Sequence, residues 1–176
     1  MFGTAPPEWV LMMQVSEKTG EIFPVRQYHP DGDTPRIDPD LHFDQQPILV
    51  FGSNTAGRHG AGAAKLAVQL FGAVEGYYRG RMGQSYAIPT RRRLENKQIV
   101  SLTLEEIIPG IAEFVEYTRD NPQLSFFVMG VGTGRAGFTP EQIAPHFRSA
   151  ISCSFPESWR DTLDMTDQAI IDANPL

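Results

Sequence analysis

The pattern of hydrophobic and polar positions changes near Pro47. Before this point, residues 9–15 and 21–28 flank the sequence SEKTG, in which Gly20 suits a turn, and the pattern predicts a β-hairpin. The segment HPDGDTPRIDPD that follows is dense in proline and aspartate, so we expect an irregular surface connection. We therefore interpret residues 1–46 as an extension of one domain, whose core is formed by residues 47–176.

Three apolar segments beyond Pro47 predict strands. They read ILVF at residues 48–51, SYAIP at residues 85–89 and SFFVMGVG at residues 125–132. The first is apolar at every position, which is typical of a strand that is covered on both faces.

Three stretches with apolar side chains at helical spacing predict helices. The first covers about residues 63–71 and is followed by Gly72, a residue type that favours the end of a helix. The second and third begin after TLEE at 103–106 and TPEQ at 139–142. In both sequences a threonine precedes Glu or Gln by three positions, as in a capping box.

Strands and helices alternate along the chain, and this order predicts an α/β fold with a largely parallel sheet. Pro109 and Pro145 lie inside the last two predicted helices, and we expect each to kink its helix or delay its start. Cys153 is placed at the end of the last helix as a buried, inert thiol. From Ser154 onward the tail is acidic and contains Trp159, and it either adds a strand or stays partly loose.

Composition narrows the class of protein. The chain has 176 residues, 41% of them hydrophobic, and a formal net charge of -6, which disfavours general nucleic-acid binding. No apolar run reaches membrane-spanning length, and residues 1–8 lack the layout of a signal peptide, so we expect a cytoplasmic protein. The two histidines and the aspartates of residues 29–44 match neither zinc nor EF-hand spacing, so neither a metal nor a cofactor is predicted.

Two glycine-rich loops, at residues 52–62 and 130–142, each follow an apolar strand and precede a helix. If the two strands are neighbours in the sheet, both loops meet in one crevice beyond the carboxyl ends of the strands. Glycine lets backbone amides approach a ligand, and helix N-termini favour anions, so a phosphate or diphosphate is the expected occupant. Neither loop matches a Walker motif or the dinucleotide fingerprint.

Polar side chains in these loops are the candidate site. Ser53, Asn54 and Thr133 offer neutral hydrogen bonds. His59 is interpreted either as a general acid–base or phosphate contact, or as a solvated loop histidine. The candidate catalytic residues are Asn54 and His59, and the candidate ligand-binding residues are Gly52, Ser53, Asn54, Gly57, Arg58, Gly60, Ala61, Gly62, Thr90, Gly132, Thr133, Gly134, Arg135, Ala136, Gly137 and Phe138.

Arginines near the loops have two interpretations. Arg58 and Arg135 either clamp phosphate or are surface charge. The run RRR at residues 91–93 is either a basic rim at a strand end, attractive to an acidic protein, a nucleotide or an RNA end, or a solvated loop.

The two loops resemble those of macrodomains, over about residues 47–152. SNTAGRHGAGAAKLA resembles the first ligand loop of that family, and GVGTGRAGFTPEQIA resembles the second, with its pattern Ser/Thr-Gly-x-x-Gly-aromatic-Pro-x-x-Ala. The resemblance implies a three-layer α/β fold with a mixed, largely parallel sheet flanked by helices, here with an added N-terminal hairpin. It also implies binding of ADP-ribose or an NAD-derived relative, with hydrolysis of ADP-ribosyl bonds in some members.

Roles for individual residues follow from this resemblance. Asn54 would hold the distal ribose, and residues 60–62 would pass beside that ribose and the diphosphate. Residues 133–137 would wrap the diphosphate with backbone amides, and Phe138 would line the ribose or adenine side. The aspartate that contacts adenine in the family has no matching motif here, and Arg58 and His59 stand where the family has small residues.

Three alternatives remain beside an ADP-ribose binder with hydrolase activity. The first is a non-catalytic module that senses or sequesters a nucleotide signal. The second is a structural protein with a degenerate site, which would meet a protein partner through the N-terminal hairpin. The third is another phosphate-binding α/β protein that prefers mononucleotides.

Overall fold

The computed structural model describes residues 13–15, 22–24 and 26–165. Strands β1 (Met13–Val15) and β2 (Ile22–Pro24) pair antiparallel where the sequence predicts a hairpin. Residues 9–12 and 16–21 of the predicted hairpin lie outside the described ranges. Residues 27–28, assigned to its second strand, belong instead to a separate strand that joins the main sheet.

The main sheet has seven strands within the described ranges. They are β3 (Gln27–His29), β4 (Ile48–Asn54), β5 (Gly80–Met82), β6 (Ser85–Arg93), β7 (Ile99–Ser101), β8 (Phe126–Val128) and β9 (Cys153–Pro156). Their order is β3-β9-β8-β4-β6-β5, and β7 also pairs with β6. The first five of this order are parallel, whereas β5 and β7 run antiparallel to β6. The predicted α/β class with a largely parallel sheet is confirmed.

Helices pack on both faces of this sheet. The helices are α1 (Gly62–Leu70), α2 (Leu104–Asp120) and α3 (Pro140–Ile143), and residues 160–165 are also helical. Alternate residues of β4 enter different cores, with Ile48 and Val50 packing on the α2 side and Leu49 and Phe51 on the α1 side. Because both faces are covered, all four are fully buried, and the arrangement is consistent with a three-layer fold.

Capping signals located the second and third helices. The side chain of Thr103 accepts a hydrogen bond from the Glu106 amide, and α2 begins at Leu104, directly after Thr103. It then continues through Pro109, so of the two expected effects of this proline the delayed start does not occur. The third helix is an α-helical turn of four residues that tightens into a 3-10 turn, Ala144–Phe147, at Pro145.

The end of the chain differs from the prediction. Cys153 is buried as expected, yet it begins strand β9 instead of ending a helix. The tail adds this strand to the sheet, and Trp159 is fully buried beside Phe155 in the α2-side core. Burial raises the pKa of the Cys153 thiol well above its ordinary value, which keeps the thiol protonated and unreactive.

None of the helices described is both long and apolar enough to cross a bilayer.

Candidate ligand-binding site

A cleft of about 690 Å³ opens between the two glycine-rich loops. We call residues 52–62 loop 1 and residues 130–138 loop 2. Loop 1 begins at the end of β4 and loop 2 follows β8, and these two strands are parallel neighbours. Both loops therefore leave the sheet at the same edge and face each other across the cleft.

The cleft crosses the carboxyl ends of five parallel strands. Asp31 follows β3, Ser158 follows β9, the two loops follow β8 and β4, and Arg91 lies near the end of β6. Strands are spaced by about 4.8 Å, so four gaps span about 19 Å. The site is thus elongated and can hold a ligand made of two ring systems joined by a linker.

Asn54 shapes loop 1 from within. Its Oδ1 accepts hydrogen bonds from the amides of Ala56 at 3.1 Å and Arg58 at 3.3 Å. Its Nδ2 donates to the Arg58 carbonyl at 2.7 Å. The Asn54 side chain therefore closes a turn, although the residue also lines the cleft.

Residues 75–78 support loop 1 from behind, and we call them the supporting segment. The Gly76 amide donates to the Gly57 carbonyl at 2.9 Å, and the Glu75 carboxylate accepts from the His59 amide at 3.2 Å. The His59 Nε2 donates to the Tyr77 carbonyl at 2.8 Å, and the Ser53 hydroxyl donates to the Tyr78 carbonyl.

His59 is consequently part of the support and does not line the cleft. Only 2% of the residue is exposed, and its ring packs edge-on against Phe51 with the ring centroids 5.4 Å apart. Its Nδ1 is buried and has no hydrogen-bond partner among the described residues. This placement gives His59 a role in positioning loop 1.

Residues with unpaired backbone amides line the middle of the cleft. Helix α1 begins after Ala61, whose side chain cannot cap it, and Gly62, Ala63 and Ala64 line the cleft. The amides of this first turn have no acceptor within the helix, and they carry its positive dipole end. In loop 2 the amides of residues 134–136 have no acceptor in the described part of the chain. The two loops together form a cradle suited to an anion.

Two glycines lie where the loops pack closely against neighbouring elements. A Cβ on Gly52 would lie 3.0 Å from the Thr90 hydroxyl, and Gly132 has a φ of +74°. A Cβ on Gly132 would also lie 2.9 Å from Ile143 Cδ1. At Gly134, by contrast, a Cβ would meet no atom within 4 Å. The first two glycines serve close packing, and the third borders open space in the cleft.

The structure brings most of the candidate residues to the cleft. Those that line it are Gly52, Ser53, Asn54, Arg58, Gly60, Ala61, Gly62, Thr90, Gly132, Thr133, Gly134, Arg135 and Ala136. Gly57, His59, Gly137 and Phe138 do not line it. Phe138 is half-buried against the α2-side core, and Gly57 lies against the supporting segment.

Sequence reasoning missed the far wall of the cleft. Asp31, Gly32, Pro156 and Ser158 line it, and the Asp31 carboxylate accepts a hydrogen bond from the Ser158 amide at 3.0 Å. Asp31 lies in the Pro/Asp-rich segment for which the sequence predicts an irregular surface connection. The available signal was the short run QYH before it, which is strand β3.

The lining is basic at one end and contains no metal site. Arg58, Arg91 and Arg135 line the cleft, whereas Asp31 is the one carboxylate among the lining residues described. Within residues 26–165, no group of three or more His, Cys, Asp or Glu side chains is placed to hold a metal ion.

The chain matches no protein-family model, no curated protein and no solved structure.

Proposed function

We propose that the cleft binds ADP-ribose or a closely related NAD-derived ligand with a phosphorylated ribose. The observation that carries this proposal is the pair of glycine-rich loops on neighbouring parallel strands, whose residues with unpaired amides line one elongated cleft. A diphosphate lies naturally on such amides, because they donate hydrogen bonds at the positive end of helix α1.

The length and the ends of the cleft favour a dinucleotide-like ligand over free phosphate. With the diphosphate on the central cradle, one ring system extends toward Asp31 and the other toward Arg91. The Asp31 carboxylate accepts one amide hydrogen bond from Ser158 and retains lone pairs for an exocyclic amino group such as that of adenine. The likeness of both loops to macrodomain loops supports ADP-ribose as the first ligand to test.

Binding is favoured over hydrolysis. Among the lining residues described, the carboxylate of Asp31 is the only acid, and it follows β3, four strands away from β6. The Asn54 side chain is engaged in its own turn, and the His59 ring is buried behind loop 1. We therefore propose a binding module, and assays for release of ADP-ribose from modified substrates test the alternative of a hydrolase.

Calorimetry and thermal denaturation test the proposal. A ligand present at a hundred times its Kd stabilises the folded state by about 2.7 kcal/mol. For a domain of this size the melting temperature should then rise by roughly 5–11 °C. A shift with ADP-ribose that exceeds the shift with AMP is expected, whereas equal or larger shifts with mononucleotides would favour a different phosphate-binding protein.

A variant that fills the cleft separates binding from folding. Gly134 lies outside the left-handed region and borders open space, so Gly134→Leu should leave the apo protein folded. Its new side chain would project in front of the amide cradle and abolish the shift with ADP-ribose. Ala112→Leu adds a similar volume on the exposed face of α2 and should retain the shift. Retention of full affinity in Gly134→Leu, or no shift in the unaltered protein, would overturn the assignment.

A further inference from the structure

Three arginines on three different elements line the cleft, and contacts between their segments connect them near the end of β6. Arg91 is paired in the sheet with Asn54 on one side and with Ser101 of β7 on the other. Asn54 holds the carbonyl of Arg58, and the Ser101 hydroxyl donates to the carbonyl of Ala136 at 2.8 Å. Ala136 follows Arg135, so loop 1, β6 and loop 2 each bring an arginine to this end.

The arginines in this group have no acidic partner in the described part of the chain. Other arginines do have one, as in the pair between Arg79 and Glu113 at 2.7 Å. The side chains of Arg58 and Arg135 are exposed and donate no hydrogen bond to any described residue, although the whole chain carries a net charge of -6. Their positive charge is therefore available to a ligand.

Arg91 is the most constrained member of the group. One Nη of its half-buried side chain donates to the Ile99 carbonyl at 3.0 Å, which fixes the guanidinium against β7. Its Nε is buried and lacks an acceptor among the described residues. A planar guanidinium held in this way is suited to an anion that accepts several hydrogen bonds at once.

We propose that Arg91, with Arg58 and Arg135, binds a second anionic group of the ligand, separate from the diphosphate. This inference rests on the proposed function. The diphosphate is assigned to the amide cradle beyond β4 and β8. Arg91 lies on β6, one strand farther from Asp31, while Arg58 and Arg135 belong to the two loops and would reach the second anion with their side chains. The ligand class is then an ADP-ribose derivative whose distal ribose carries a phosphate monoester or a carboxylate-bearing substituent.

A pair of near-isosteric dinucleotides tests the carboxylate source. NAD and nicotinic acid adenine dinucleotide differ by a carboxamide against a carboxylate, beyond the distal ribose. Calorimetry at constant ionic strength should give a Kd about tenfold lower for the carboxylate form, as expected for a charge-assisted contact. ADP-ribose with a phosphate monoester on its distal ribose, compared with ADP-ribose itself, tests the phosphate source in the same way.

Arginine variants test whether the preference for the anionic derivative arises at the β6 end of the cleft. Arg91→Gln should reduce this preference, measured as the ratio of the two Kd values, to within about twofold. Arg135→Gln removes an exposed side chain without contacts and should lower the preference partly, which covers the case of a misfolded Arg91 variant. Arg93→Gln, on the same strand but outside the cleft lining, is the matched control and should keep the full preference.

The outcomes separate the two proposals. If the unaltered protein binds no ADP-ribose, the proposed function fails. If it binds ADP-ribose but prefers neither anionic derivative, or if the preference survives in both Arg91→Gln and Arg135→Gln, only the second anion site is overturned. A preference confined to one derivative supports the site and identifies its anion.

Discussion

Replacing Gly57 with alanine should destabilise the protein far more than the same change three residues later in loop 1. Gly57 has a φ of +66°, and a Cβ there would lie 2.5 Å from the carbonyl carbon of Gly76. The left-handed conformation costs a residue with a Cβ about 1–2 kcal/mol. Forcing an extra carbon against packed backbone costs a further 1–3 kcal/mol or so. The expected loss of unfolding free energy is therefore about 2–5 kcal/mol.

Gly60→Ala is the matched control. Gly60 lies outside the left-handed region, and a Cβ there would meet no atom within 4 Å. Both substitutions reduce the conformational freedom of the unfolded chain by a similar amount, so this contribution cancels in the comparison. The difference between the two variants then measures the contact of Gly57 with the supporting segment.

Urea denaturation and thermal melts of the ligand-free proteins provide the measurement. For a domain of this size the melting temperature of Gly57→Ala should fall by roughly 4–20 °C. That of Gly60→Ala should stay within about 2 °C of the unaltered protein. Equal melting temperatures for the two variants would show that the contact between loop 1 and the supporting segment is not tight, and the reasoning would be refuted.

Three further predictions concern the fold. Thr103→Ala removes the acceptor of the Glu106 amide at the start of α2 and should cost about 1 kcal/mol in urea denaturation, whereas Thr103→Ser should cost little. Burial lowers the pKa of His29, so the unfolded chain takes up this proton first and stability should fall as the pH drops from 7.5 to 5.5. This one group can change the free energy of unfolding by at most about 1.4 kcal/mol per pH unit. If His29→Gln shows the same dependence on pH, His29 is not its source. Glu113→Gln breaks an exposed ion pair with Arg79 and should change stability by less than about 1 kcal/mol, a limit that a double-mutant cycle checks.

Local signals in the sequence predicted the elements whose determinants lie within a few residues. The buried run at residues 48–51 is strand β4, and the capping boxes at Thr103 and Thr139 mark the starts of α2 and α3. The positions of both glycine loops, after a strand and before a helix, also followed from local pattern. Such features need no knowledge of distant residues, because turn and cap chemistry acts over three or four positions.

Features that depend on distant partners were not predictable. Strand β3 has three residues, and it is a strand because it pairs with β9 far along the chain. Asp31 reaches the cleft for the same reason. His59 illustrates the limit within a loop, since its burial depends on accepting groups in residues 75–78 that no periodicity connects to it. The sequence pattern thus located the two loops but not the wall opposite Arg91.

The contact between Asp31 and Ser158 has a consequence for the order of events in folding. It joins residues 127 positions apart, and closing a chain segment of that length costs about 4 kcal/mol of entropy. Because this entropy is lost before the contact contributes, we expect contacts of this range to form late, after nearer strands have paired. A ligand that contacts both walls of the cleft can bind only after the contact between Asp31 and Ser158 has formed. Such a ligand should therefore slow unfolding and leave the folding rate unchanged. Ligand binding therefore reports that the whole domain has folded, and not only that the two loops have formed.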